Sequence, residues 1–99
     1  MSYRLRLTPE AQLDLERLLQ FLADTDYAAA VRAREAIEKA YGFLEAFPFA
    51  CRKAGVDNPF LRELLISFGS SGYVVLFEID DKETVTILAA RHQREDDYH

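Results

Sequence analysis

Among its 99 residues the chain has one cysteine, Cys51, and no tryptophan. A single thiol excludes an intramolecular disulfide and fits a reducing compartment. With only His92 and His99 beside it, no zinc-type ligand spacing exists, so no metal is expected. The four glycines form no nucleotide-binding pattern, and no cofactor is expected. No apolar run approaches the ~20 residues that span a bilayer, and no basic-then-apolar leader opens the chain. The expectation is a cytoplasmic protein without membrane contact. An excess of basic charge is also missing: the net charge is −5 and the pI near 4.9. Neutralising phosphates supplies most non-specific nucleic-acid affinity, so sequence-specific DNA binding by this chain alone is not expected.

What is present is an ordinary globular composition, 49% hydrophobic, at a length that suits one domain over residues 1–99. From Ser2 to Leu7, Tyr3, Leu5 and Leu7 alternate with Arg4 and Arg6, the period-two pattern of a strand with one buried face. Thr8-Pro9-Glu10 follows. Thr8 can cap a helix, Pro9 suits its first position, and Glu10 favours its positive end. Ala11, Leu15, Leu18 and Leu22 then fall on one helical face.

Asp24-Thr25-Asp26 breaks this pattern, and either aspartate can cap a second helix. There Ala33, Ile37, Ala40 and Leu44 repeat the spacing, and the helix must stop before Pro48. Phe49 to Pro59 reads as irregular. After it, Phe60–Phe68, Tyr73–Ile79 and Thr84–Ala90 are strand-like runs separated by two turn segments. The order β-α-α-β-β-β predicts a two-layer α+β domain, with a helical hairpin packed on one side of an antiparallel sheet.

This order, with Thr8-Pro9-Glu10-Ala11 opening the first helix and Leu44-Glu45-Ala46-Phe47-Pro48 closing the hairpin, resembles the RelE/ParE superfamily of toxins from type II toxin–antitoxin systems. So do Leu61-Arg62-Glu63-Leu64, the run Tyr73 to Ile79, and the ending Ile87 to Arg94 followed by Asp96-Asp97-Tyr98. The resemblance implies one of two activities. RelE-like members are ribosome-dependent mRNA endoribonucleases; ParE-like members inhibit DNA gyrase. Either implies a hetero-oligomer with an antitoxin, ParD-like in the second case. A non-toxic interaction module with the same fold is the third reading.

An RNase needs a general base, a general acid and cations around the phosphate. The available groups are Arg62, Arg91, His92, Arg94 and Tyr98, with His99 and the loop pair Arg52-Lys53. Each has a plain structural alternative. Arg62 can pack its stem at a strand edge and pair with Glu63 or Glu78. His92 can be a half-exposed histidine just after the last strand. Tyr98 stands beside Asp96 and Asp97, whose charge repels phosphate. The acidic balance therefore favours the gyrase-directed, non-catalytic branch. For the antitoxin, apolar residues beyond the core stripes are available: Leu13, Leu19 and Phe21 on the first helix, Val31, Tyr41, Phe43 and Phe47 on the second. Such a surface implies that the isolated chain self-associates or is poorly soluble.

Overall fold

The structure is a computed structural model that describes residues 2–69 and 71–93. Strand β1 (Arg4–Leu7) leads into helix α1 (Pro9–Thr25) through Thr8, whose hydroxyl accepts from the Ala11 amide at 3.1 Å. Asp26 ends this helix and starts the next. Its N–H donates to the Leu22 carbonyl at 2.7 Å, while its carboxylate accepts from the Ala29 amide at 3.1 Å. Helix α2 (Tyr27–Ala46) therefore follows after a single residue and stops ahead of Pro48, as proline requires. The expected stripes face the sheet: Ala11 and Leu18 from α1, and Ala33, Ile37 and Leu44 from α2, are buried. They pack on Tyr73, Val75, Phe77, Ile79, Val85 and Ile87, with Leu15, Leu22 and Ala40 half-buried at the margins.

Strands β3 (Leu61–Phe68), β4 (Ser71–Ile79) and β5 (Thr84–His92) form the expected antiparallel meander. Gly69 takes a positive φ of 62° in the first turn, and Asp81 accepts from the Glu83 and Thr84 amides in the second. A Cβ on Gly72 would collide with the Ile66 carbonyl, so only glycine fits that close crossing.

Two features depart from the sequence reading. The sheet has the order β1-β5-β4-β3-β2 and is mixed, because β1 pairs with β5 in parallel. Alternation in Tyr3, Leu5 and Leu7 specifies a buried face but carries no direction, so the antiparallel expectation holds for the meander and not for β1. The second is a two-residue strand, β2 (Arg52–Lys53), inside the stretch read as irregular. Two residues are too few for a period to register.

The pairing of β4 with β5 slips between Leu76 and Phe77: Leu76 faces Ala89, Phe77 faces Ile87, and Leu88 is extra. This bulge is tied to the start of α1. The Thr8 N–H donates to the Ile87 carbonyl at 3.0 Å, and its hydroxyl donates to that of Leu88 at 3.2 Å. Two residues on, Asp14 accepts from the Ala90 amide at 3.0 Å. Beyond Ile87 the β5 edge has left β1 behind, so α1 side chains take over its backbone groups. Ala90 is 2% exposed, and its N–H would otherwise be stranded. Replacing Asp14 by Ala is expected to lower the melting temperature by about 10 °C, from roughly 1–3 kcal/mol for an orphaned amide in a domain this size. Asp14→Asn, which keeps an acceptor, should lose less than half as much. Equal melting of Asp14→Ala and the parent would contradict this role.

Candidate functional site

Arg62 lies early in β3, opposite Phe77, and so points to the helix-covered face. Its guanidinium is held by backbone rather than by the anticipated carboxylates. Nε donates to the Pro59 carbonyl at 2.7 Å, and Nη1 donates to those of Cys51 at 2.9 Å and Phe49 at 3.2 Å. The group also stands 5.3 Å from the centre of the Phe49 ring, a cation–π contact. Glu63 instead takes Arg52, with 3.0 Å contacts from both Nε and Nη2. Glu78 accepts from Asn58 at 3.1 Å. Arg62 thus clamps the segment between α2 and β3 onto the sheet. It also pulls down on the Cys51 thiol, which burial nevertheless pushes above its usual range.

Arg91 and His92 both fall inside β5, two residues beyond the strand end that the sequence suggested. Arg91 is opposite Val74, and His92 is opposite Tyr73. Alternation therefore sends Arg91 to the face away from the helices and His92 to the face that carries Arg62. On that face His92 sits edge-on to Tyr73, with ring centres 5.9 Å apart, and Tyr73 stacks on Phe68 at 6.0 Å. Arg62 and His92 are still separated by four positions along β4, Phe77 to Tyr73, which is about 13 Å of strand. Arg91 donates from Nη1 to the carbonyls of His92 at 3.3 Å and Gln93 at 3.4 Å. These three groups do not meet around one phosphate-sized space. Arg94, Tyr98 and His99 lie outside the described residues. Among the described residues no cluster of histidine, cysteine and carboxylate side chains suits a metal ion.

The seven apolar candidates fall into three places. Leu13 and Phe21 are 64% and 71% exposed on the outer side of α1. Leu19, Val31 and Tyr41 border the seam between the helices, where two adjoining hollows of about 430 and 420 Å³ share Glu16, Leu19 and Arg34. Of these, Leu19 and Tyr41 also pack against the core. Phe43 and Phe47 lie one turn apart at the end of α2, their rings 5.8 Å apart. Sequence reading missed Tyr27, 74% exposed beside Val31, because it opens α2 ahead of the stripe that starts at Ala33. It also missed the edge-to-face pair Phe49 and Phe60, centres 6.1 Å apart, which stand at the two ends of the segment without a period.

Residues 5–97 match the family model described as the ParE toxin of the type II toxin–antitoxin system parDE. The chain belongs to the ParE toxin family. It is 32% identical over 79 residues to Toxin RelE1 of Caulobacter vibrioides, covering 80% of this chain and 82% of that one. A chromosomal ParDE toxin–antitoxin system from P. aeruginosa shares the fold at a TM-score of 0.69 and 16% identity, covering 92% of this chain and 96% of the other. The RelBE2 toxin–antitoxin complex of Mycobacterium tuberculosis gives 0.62 and 27%, covering 94% and 100%. Both neighbours carry the same α+β arrangement, and among the described residues no helix is long and apolar enough to cross a membrane.

In this ParE-family toxin, two of the named side chains have roles that stability can read. Arg62→Ala removes three charge-assisted bonds and is expected to destabilise the fold by on the order of 2 kcal/mol. Arg62→Lys should recover only part, since an ammonium cannot reproduce the forked, stacked geometry. Unchanged melting with lost toxicity would instead make Arg62 a target contact.

Tyr41 has a buried hydroxyl without a hydrogen-bond partner among the described residues, and burial pushes its pKa from 10.0 up to about 12. Folding thus favours the neutral phenol: its contribution is complete below pH 10 and is lost as pH rises through about 12. Alkaline titration followed by phenolate absorbance should show one tyrosine ionising together with unfolding. Tyr41→Phe should remove that component without reducing stability at neutral pH.

Proposed function

We propose that the chain is the toxin of a type II toxin–antitoxin pair that inhibits DNA gyrase and is neutralised by a ParD-like antitoxin. The observation that carries the reading is the dispersal of the cationic groups among the described residues. RNA cleavage through a 2′-hydroxyl needs a base, an acid and cations converging on one phosphate within hydrogen-bonding reach. Here Arg62 is bound to three carbonyls, Arg52 to Glu63, and Arg91 faces the opposite side of the sheet from both Arg62 and His92. A net charge of −5 adds to this, because ribosomal RNA repels such a surface. Gyrase-directed action asks for none of those groups. The family model, a ParE toxin, supports the same branch.

The antitoxin reading rests on the apolar side chains that the fold leaves in water. Leu13, Phe21, Tyr27, Val31 and Phe47 are each 45% exposed or more, too many large side chains on one small domain for a surface meant to stay bare. A segment that folds on the helical hairpin would bury them. The neighbours from P. aeruginosa and M. tuberculosis are toxin–antitoxin systems, which fits that role.

The second reading, a RelE-like mRNA endoribonuclease, is favoured by the name of the 32% identical relative, Toxin RelE1. Supercoiling and cleavage assays with purified gyrase, run beside ribosome-dependent cleavage of a messenger RNA, separate the two. The expected outcome is inhibited supercoiling with accumulated cleaved DNA and intact RNA. Cut RNA with unaffected gyrase would reverse the assignment.

A further inference from the structure

We propose that two copies of this chain pair through β3, antiparallel about a two-fold axis at Ile66, so that their sheets join into one. The edge of the sheet is independent of the choice of target, and the groove beside it is also lined by Phe43, one of the apolar antitoxin candidates.

The β3 edge is open over a defined length. On that side β2 covers only Arg62 and Glu63, paired with Lys53 and Arg52. The strand ends at Phe68, and none of the described residues pairs with Leu64 to Phe68 on that side. The Ala54 amide donates to the Leu61 carbonyl across this edge at 2.9 Å. Backbone groups alternate along an antiparallel strand, so the N–H and C=O of Leu65 and Ser67 also point outward. They have no partner among the described residues. Ile66, between them, turns its carbonyl inward toward Gly72. The five residues Leu64-Leu65-Ile66-Ser67-Phe68 contain no charge and no proline, and the β3–β4 register has no bulge. The usual protections of an edge strand are therefore absent. Elsewhere they are present: Thr8 and Asp14 cover β5 beyond Ile87, and β1 is short and carries Arg4 and Arg6.

A second copy fits this stretch better than any offset would allow. With Ile66 opposite Ile66 of the second copy, Leu65 of each chain faces Ser67 of the other. All four outward groups of each strand are then used. On the helix side Leu64 meets Phe68 of the second copy, an aliphatic–aromatic cross-strand pair. Sliding the register by two residues in one direction presses on Glu63, already paired with Arg52. Sliding it in the other runs into the Gly69 turn.

Charge agrees. The groove of about 930 Å³ between this edge and α2 is bordered by Arg32, Lys39, Glu35 and Glu38, which sum to zero, on a chain of net charge −5. On this face the charges of each copy balance, whereas the chain as a whole is acidic. Ala36 and Ala40 keep the α2 side of the groove shallow in bulk. The stretch of β3 available to the second copy is five residues long, Leu64 to Phe68, against roughly 20–30 residues a side in a standard interface. The dimer is therefore reversible and concentration-dependent.

Sedimentation velocity on the full chain alone, from low micromolar to near-millimolar concentration, tests this. A monomer–dimer transition is expected, tightened by added salt as the like net charges are screened. Leu65→Lys, at an exposed edge position, should weaken it at least tenfold, whereas Glu83→Gln, an equal charge change in the exposed β4–β5 turn, should leave it unchanged. Amide exchange at Leu65 and Ser67 should slow as concentration rises, a readout that needs no variant and decides the matter even where Leu65→Lys folds poorly. A monomer at every concentration would overturn the proposal. So would a dimer indifferent to Leu65→Lys in a folded variant, or one whose Leu65 and Ser67 amides stay as fast as in dilute solution.

Discussion

The parallel pairing of β1 with β5 is the constraint on which the remaining arrangement depends. Arg4 is registered against Thr84 and Leu7 against Ile87, so the first and last strands of the sheet are neighbours. A parallel pair cannot be joined by a tight turn; it needs a long crossover. Here everything between serves as that crossover, including the helical hairpin that covers one face. Closing a loop of about 80 residues costs roughly 2–3 kcal/mol more entropy than closing a hairpin. The contacts at the seam offset this: Thr8 bonded to Ile87 and Leu88, Asp14 to Ala90, and α1 packed along β5.

That seam also explains which parts of the fold can be read without a structure. Local chemistry was largely legible: Thr8-Pro9 as a helix start, one of Asp24 and Asp26 as a cap, Pro48 as a stop, and the two stripes that became the core. Each depends on neighbours within a turn or two. The direction of β1, the extra residue Leu88 and the two-residue β2 depend on partners tens of residues away, and no local pattern encodes them. Candidate groups for a site fared according to the same division. The exposure of Leu13, Phe21, Val31, Phe43 and Phe47 was legible because amphipathic periodicity shows which residues do not fit the core stripe. Leu19 and Tyr41 were harder to place, since residues at the border of a stripe serve both the core and the seam.

The arginines show how far sequence proximity can mislead about chemistry. Arg62 is bound by carbonyls of Phe49, Cys51 and Pro59, none predictable from its own strand. Carbonyls at the end of α2 and in the following turn lack helical partners, and a guanidinium with five donors satisfies several at once. A cation used in this way spends its donors on the chain's own backbone, while its charge is still felt at the Cys51 thiol. The large side chains that the described fold leaves in water include Leu13, Phe21, Tyr27 and Phe47.

The bulge at Leu88 decides which basic residue stands with Arg62. If β5 ran without the extra residue, Phe77 facing Ile87 would place Leu76 against Leu88 and Tyr73 against Arg91. A one-residue shift exchanges the faces of every side chain beyond it. Arg91 would then share the face of Arg62, and His92 would point away. With Leu88 inserted, the observed pairs are Val74 with Arg91 and Tyr73 with His92. Bulges commonly re-aim side chains in this manner. Here the insertion is held by the Thr8 hydroxyl on the Leu88 carbonyl, so the cap of the first helix also fixes the partition of charge between the two faces of the sheet. Any chemistry requiring Arg62 and Arg91 together would have to break that cap first, along with the Asp14 bond to Ala90 that secures the strand two residues further on.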